Sequence, residues 1–408
     1  MPSPDGRMAL DGVRVIDLTV WFQGPVAAQH LADFGAEVIH VERPQGGDMG
    51  RGVRTIKALP VGDWNQYFLV INRNKKSMAL NLGLPAGREV MHKLVAESDV
   101  FLSNLSEDNL AKWSLTYEEL REINPRLVYA MASGYGPFGT ITKPSFDMTV
   151  QALTGLMTRL GEPGQPPIYL GMGSGDAMGG LMAALGVLLA LHQRERSGLG
   201  QKVDASLYGA QLFMAAPTLQ GYLATGNDTF SRQQSRKTPA NPLRNTYPAK
   251  DRWLILAMPN DDDSWSRLRD SLEDESIASD TRFASAEGRH EHTAALVAAL
   301  DATLAKRTAS EWMERWEGAG VVASVVGNLA ELADDPQPWQ NGYLAETHCE
   351  EVQRDVVVRG LPVGLSRTPA SVRSLGPELG QHTEEILVET LGYTWEQVGE
   401  LKEQGAIL

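Results

Sequence analysis

Short β-branched runs alternate with helically spaced apolar positions from the start of the chain. RVIDLT (14–19) has strand character, PVAAQHLADFGA (25–36) carries apolar residues at helical spacing, and EVIHVE (37–42) returns to a strand pattern. AGREVMHKLVAESD (86–99) then leads into DVFLSN (99–104), and YEELREI (117–123) into RLVYAMAS (126–133). Strand–helix alternation of this kind predicts an α/β fold, a parallel sheet covered by helices. A Gly-rich stretch, GMGSGDAMGG (171–180), precedes the most apolar segment, GGLMAALGVLLALHQ (179–193), and QKVDASL (201–207) reads as another strand. The apolar segment falls short of the about 20 residues a membrane span needs and ends in the charged HQRER, so it predicts a buried helix.

Near residue 224 the texture changes. Residues 224–250 are polar, rich in Asn, Ser and Pro, and weakly periodic, which predicts a crossing linker into a smaller domain. There WLILAMP (253–259) is an expected strand, and 293–307 and 309–320 are expected helices. DVVVRGLPV (355–363) reads as a strand and HTEEILVETLG (382–392) as a final helix.

Composition narrows the class. A chain of 408 residues with 42% apolar and 22% charged residues has the makeup of a globular protein of two or three domains. The net charge of −14 argues against a nucleic acid or an anionic membrane as partner, since both demand clustered Lys and Arg. Cys349 is the single cysteine, so no disulfide framework exists, and a cytoplasmic location is expected. The N-terminal MPSPDGRMALDGVRV lacks the apolar core of a secretory signal.

Several candidates for chemistry remain. Glu42 ends a strand where an acidic residue could grip a ribose, which keeps a dinucleotide-dependent oxidoreductase in view. The preceding turn, LTVWFQGP, places Trp21 and Phe22 where a pyrophosphate would need close backbone approach, and it lacks G-x-G-x-x-G. Arg43, Arg51, Arg54, Arg73, Lys75, Lys76 and Lys112 gather near the predicted C-terminal strand ends of an acidic chain. They form either a phosphate-binding cluster or solvated surface. The eight histidines show no metal-ligand spacing, and neither a nucleophile elbow nor a P-loop occurs. Asp176 stands among Gly171, Gly173 and Gly175 ahead of the apolar helix. It reads either as a helix N-cap or as a nucleophile, with a pKa lowered by the helix terminus and with N–H groups nearby for an oxyanion.

Taken together, LDGVRVIDLT…GP…LADFGAEVIHVERPQGGDMGR (10–51), NRNKKSMALNL (72–82), DVFLSN (99–104), NPRLVYAMASGYGPFG (124–139) and FDMTVQALTGLM (146–157) resemble the class III CoA-transferases, the family of formyl-CoA transferase and carnitine CoA-transferase. RERSGLGQKVDASL (194–207), RTASEWMERWEGAGVVASVV (307–326) and DPQPWQNGYL (335–344) continue the resemblance in order. It implies a Rossmann-like large domain built from both chain ends, a smaller α+β domain, and a homodimer of interlocked rings. Applied here, that division gives 1–210 and 331–408 to the large domain with its return linker, 211–250 to a crossing linker and 251–330 to the small domain.

By the same resemblance Asp176 is the acyl-accepting nucleophile, with backbone N–H groups around Gly175 and Ala177 as oxyanion donors. Coenzyme A thioesters and free carboxylic acids are the implied substrates, with no tightly bound cofactor. Arg43 and Lys112 match residues at the nucleotide, Lys112 standing where the formyl-CoA enzyme has arginine. Leu80, Asn81, Asn104, Leu105 and Ser106 match segments lining the CoA cleft. Phe22 and Gln23 match the segment near the thioester, with Phe22 where that enzyme has its glutamine. A Gly-rich loop over the small substrate has no counterpart around 250–265. Both departures point away from formyl or oxalate and toward a bulkier or more apolar acid near Trp21 and Phe22. The acyl-CoA racemases of the same superfamily place His directly before the aspartate equivalent to Asp147. Here that residue is Phe146, which leaves racemase as the alternative.

Overall fold

In the computed structural model, residues 6–55, 62–141 and 143–408 are described. Residues 1–5 of the N-terminal segment read for a secretory signal lie outside them. The chain divides into two compact units: Met1–Leu156, Leu170–Pro217 and Pro336–Leu408 form one, and Met157–Tyr169 with Thr218–Asp335 form the other.

The larger unit is built on a six-stranded sheet of β1 (Arg14–Leu18), β2 (Glu37–Glu42), β3 (Lys75–Ala79), β4 (Val100–Ser103), β5 (Val128–Met131) and β6 (Lys202–Asp204). All pairs are parallel, in the doubly wound order β3-β2-β1-β4-β5-β6. The direction of winding reverses between β1 and β4, where open α/β sheets bind ligands. Alternate residues of each strand enter opposite cores. Ile16, Ile39, Met78, Phe101 and Tyr129 pack against the helix Pro85–Ala96 and the C-terminal helices. Val15, Val38, Val100 and Val128 pack beneath the first helix, Gln23–Asp33, and the long helix, Ser174–Ser197.

At 24 residues, the long helix is long and apolar enough to cross a bilayer, contrary to the shorter segment expected. Ala183, Ala184, Val187, Ala190 and Leu191 are buried in the core, and Arg194 pairs with Asp99 at 2.9 Å, so here it serves as a core helix. A Cβ at Gly180 would sit 2.7 Å from the carbonyl of Gln23, so this glycine lets the two helices approach closely. The expected linker 211–250 begins as helix, within Leu207–Met214 and Ala216–Thr225. The expected final helix splits into a short α-turn, Thr383–Glu385, and a π-helical stretch, Ile386–Thr390.

The smaller unit carries β7 (Arg244–Pro248), β8 (Trp253–Ala257) and β9 (Ala323–Val325) as an antiparallel sheet. Its core is lined by Trp265, Trp312 and Trp316. In the larger unit, β10 (Leu344–Cys349) and β11 (Arg354–Arg359) form an antiparallel hairpin.

Charged groups interrupt the apolar strands, and Asp17 stands directly opposite His40. Lys75 Nζ lies fully buried 2.8 Å from Asp17, and Asp17 lies 3.0 Å from His40. Burial would raise the Asp17 pKa, yet Lys75 and His40 hold it well below the ordinary carboxylate range. Burial opposes a charge on His40 as well, but Asp17, Glu42 and Asp48 push its pKa up to about 10. Removing one partner of such a group leaves an uncompensated buried charge. Lys75→Met is therefore expected to lower the unfolding free energy by about 3–5 kcal/mol, read by urea denaturation at pH 7. Double replacement with Asp17→Leu should recover much of that loss.

Candidate active site

The N-terminus of the long helix is organised by a carboxylate from elsewhere in the chain. Gly173 occupies the N-cap with φ +80°, a conformation suited to glycine, and contributes no side-chain cap. Asp147, on the short helix Asp147–Leu153, supplies it instead. Its Oδ2 accepts the Gly173 N–H at 2.8 Å, and its Oδ1 accepts the Gly175 N–H at 3.2 Å. The side-chain amides of Gln151 and Gln211 donate to the same Oδ1 at 3.1 and 3.0 Å. A Cβ on Gly175 would lie 2.4 Å from that oxygen and 2.0 Å from Gln211, so only glycine admits this packing.

Asp176 therefore sits in the first turn and is not the N-cap. Its pKa is pushed up to about 7, by burial first and by the Asp147 charge second. This reverses the lowering expected from the helix terminus. The macrodipole contributes about 0.3–1 kcal/mol at exposed sites and up to about 2 in partly buried ones, less than desolvation and a like charge together supply here. The expected oxyanion donors change too. The Gly175 N–H is taken by Asp147, and that of Ala177 donates to the Gly173 carbonyl at 2.8 Å. The first-turn N–H groups of Ser174 and Asp176 are left without intrahelical acceptors by their position.

Phe22 lies against this terminus, its ring carbons 3.5–3.6 Å from where a Gly173 Cβ would stand. Tyr67 packs on Phe22 at 5.7 Å between ring centroids. Burial and the charges of Asp176 and Asp48 push the Tyr67 phenol well above its ordinary range. Tyr67 thus lies within electrostatic reach of both carboxylates. Asp48 accepts the N–H groups of Trp21 at 3.3 Å and Gly50 at 2.7 Å. The first of these contacts ties down Trp21 at φ +69°, a strained conformation for a bulky residue.

Asp48 also lines a cavity of about 380 Å³ at the C-terminal ends of the central strands, beside the winding reversal. Arg43, Leu80, Asn81 and Leu105, all expected at the CoA cleft, line it together with Trp113. Asn104 clamps the adjoining turn, with its Oδ1 2.9 Å from the Val20 nitrogen and its Nδ2 2.7 Å from the Val20 carbonyl. Ser106 caps the helix Glu107–Lys112. Lys112 is exposed on that helix, next to Trp113.

Gln23 is placed apart from these residues. It is buried, and its amide donates to the Ala205 carbonyl at 3.1 Å and the Ser133 carbonyl at 3.4 Å.

Of the seven cations noted in the first part of the chain, five have carboxylate partners. Arg51 pairs with Glu42, Arg54 with Glu351, Arg73 with Asp33, Lys75 with Asp17, and Lys76 with Glu37 and Glu385. Among the described residues, no carboxylate pairs with Arg43 or Lys112. Glu42 is engaged by Arg51, Ser77 and the Asp48 N–H, which removes the group expected to grip a ribose. In the sequence Asp147 is read only as the counterpart of a racemase aspartate, and Gln211, Tyr67 and Asp48 are given no role. A glutamine inside the apolar LYGAQLFM was the one local sign.

Comparison with known proteins finds relatives over nearly the whole chain. The profile of CoA-transferase family III matches residues 10–383. A succinyl-CoA–D-citramalate CoA-transferase of Chloroflexus aurantiacus is 33% identical, over 100% of both chains. A (R)-2-hydroxy-4-methylpentanoate CoA-transferase of Clostridioides difficile is 30% identical, over 98% of this chain and 100% of that one. Among solved structures, a CAIB/BAIF family protein from Brucella suis superposes with a TM-score of 0.81 at 30% identity, covering 94% of this chain and 99% of the other.

The raised pKa of Asp176 has a thermodynamic sign. The folded state holds this proton more tightly than the unfolded chain, so ionisation costs stability as pH rises from about 4 toward about 7. Asp176→Asn should then raise the unfolding free energy at pH 8 by on the order of 2–4 kcal/mol, and by almost nothing at pH 3.5. Thermal unfolding at both pH values reads this difference.

Proposed function

The chain belongs to CoA-transferase family III and is an enzyme that transfers coenzyme A, and from that premise we propose that Asp176 carries the acyl group and then the CoA. The observation behind this reading is a half-buried carboxylate with a pKa of about 7 at a glycine-lined helix start. Desolvation and a carboxylate neighbour make its anion a stronger nucleophile than an ordinary aspartate, and half of it is ionised near neutrality.

Asp176 attacks the carbonyl of an acyl-CoA thioester, forming a mixed anhydride and expelling CoA thiolate. The thiolate attacks the aspartyl carbonyl, giving an aspartyl-CoA thioester and releasing the donor acid. An acceptor carboxylate attacks that thioester, restoring thiolate and forming a second anhydride. The thiolate then attacks the acceptor's acyl carbonyl, which yields the new acyl-CoA and frees Asp176. A carboxylate suits this role because enzyme and substrate acids exchange at comparable energy. The Ser174 and Asp176 N–H groups are the remaining first-turn donors for the oxyanions.

The cavity at the strand ends accommodates the nucleotide of CoA, with Arg43 and Lys112 as phosphate partners and Leu80, Asn81, Asn104, Leu105 and Ser106 as its wall and frame. Phe22 lies at the thioester end, and Gln23 acts from behind by holding the first helix. Leu181, Leu185, Leu188 and Leu189 form an exposed apolar stripe on the long helix, which supports a homodimer of the interlocked kind. We assign the enzyme to the cytoplasm, in keeping with its lone buried cysteine. Phe146 stands exposed beside Asp147, where a racemase would need a second base. The hydrogen bonds to Asp147 belong to the helix cap, which favours transfer over racemisation.

Incubation with acyl-CoA thioesters followed by a hydroxylamine quench should place a hydroxamate on the peptide containing Asp176. Asp176→Ala should abolish it and lower kcat by about 10³-fold or more. An unmodified peptide, together with solvent deuterium entering an acyl-CoA, would support the racemase instead. In the wild type, kcat/KM should rise with pH through a midpoint near 7, and Asp147→Asn should move that midpoint downward. Arg43→Gln should raise KM for the CoA thioester about tenfold or more with little change in kcat.

A further inference from the structure

A cation stands in the wall of a second cavity, beside Phe22, and the transfer steps above make no use of it. This cavity, of about 470 Å³, is lined by Phe22, Trp64, Tyr67, Val70, Val357 and Arg359, among others. Along β11, Val357 and Arg359 share the exposed face, and the buried Val358 between them also lines the cavity.

Arg359 is oriented but not neutralised. Its guanidinium donates to Gln29 Oε1 at 3.0 Å, and the Gln29 amide donates in turn to Asp33 at 3.2 Å. Asp33 is already held by both arms of Arg73, at 3.0 and 2.6 Å, and by Asn74 at 2.7 Å. Arg73 also donates to the Arg359 backbone carbonyl. Among the described residues, no carboxylate pairs with Arg359. Although the residue is exposed on its strand, desolvation around the guanidinium and the like charge of Arg73, partly offset by Asp33, lower its pKa, and it remains cationic at neutral pH. Two guanidinium groups thus share one carboxylate, next to an apolar cavity. An anion entering there relieves the excess positive charge, and the planar fork of arginine suits a carboxylate.

The reaction itself narrows the anion. A substrate acid commits one carboxyl group to Asp176, and the phosphates of CoA lie with the separate cavity at the strand ends. The pantetheine arm carries no charge. What remains is a second carboxylate on the substrate, with its methylene groups along the aromatic and valine walls. We propose that Arg359 binds the distal carboxylate of a short dicarboxylic acid and makes this enzyme selective for dicarboxylates over monocarboxylates of equal length. The assignment rests on the transfer reading above, and it refines the apolar acid expected near Trp21 and Phe22 into one with an apolar middle and a charged end.

Isotope exchange tests it without knowledge of the natural pair. Label is followed from ¹³C-succinate into succinyl-CoA, and from ¹³C-butyrate into butyryl-CoA, in the wild type, Arg359→Gln and Arg359→Lys. The wild type should favour succinate in kcat/KM by roughly 100-fold. In Arg359→Gln, KM for succinate should rise by a similar factor while butyrate exchange holds, bringing the ratio within tenfold of one. Arg359→Lys should fall between. A wild-type ratio near one with Asp176 still trapped by hydroxylamine overturns this proposal alone, and so does an equal loss of both exchanges in Arg359→Gln. Neither exchange, with Asp176 untrapped by any donor, overturns the transfer reading and this proposal with it.

Discussion

The Asp147 carboxylate at the start of the long helix sets the chemistry of the site. It lies 26 residues before the glycine whose N–H it accepts, so the chain must close a loop to bring it there. Once in place it caps a glycine-rich terminus that has no cap of its own, and it takes the Gly175 N–H out of the reckoning as an oxyanion donor. It also adds a negative charge beside Asp176. Gly173 and Gly175 make this possible because neither the backbone geometry at 173 nor the space at 175 admits a side chain. The resulting aspartate keeps its proton to near neutrality.

A second charged arrangement carries that site onto the sheet. Lys75, Asp17, His40 and Asp48 alternate in sign beneath the first helix, and Asp48 holds the strained turn at Trp21. From this turn the first helix starts, with Phe22 against the long helix and Asp48 in the cavity at the strand ends. Such alternation leaves little net charge in the interior, and removing one member leaves a neighbouring charge buried with fewer partners. The winding reversal between β1 and β4 provides the opening in which these parts meet.

How much of this is legible in the sequence follows from range. Strands such as RVIDLT and EVIHVE, and the helix after Phe22, are encoded by neighbours a few residues apart, so pattern alone locates them. Asp176 is visible as a carboxylate among glycines, but the sign of its pKa shift depends on burial and on Asp147, which no local pattern reveals. The seven cations look alike in sequence. Only pairing across the fold separates Arg43 and Lys112 from the five whose charge is already met. Lys75 and Arg73 even reverse their apparent role, since both are buried. Arg359 is the opposite case: in VVVRG it reads as the solvated end of an edge strand, and its cavity exists only once the hairpin meets the segment carrying Tyr67.

The most direct measurement of the central claim follows oxygen atoms. In the anhydride route, each turnover hands one oxygen of the acceptor carboxylate to Asp176, while the departing donor acid carries one enzyme oxygen away. With ¹⁸O-labelled acceptor acid and an acyl-CoA donor, peptide mass spectrometry should find the Asp176 peptide heavier by one ¹⁸O and, after further turnovers, by two. CoA transfer that leaves this peptide unlabelled would contradict the account, because the acids would then exchange CoA without passing through the aspartate.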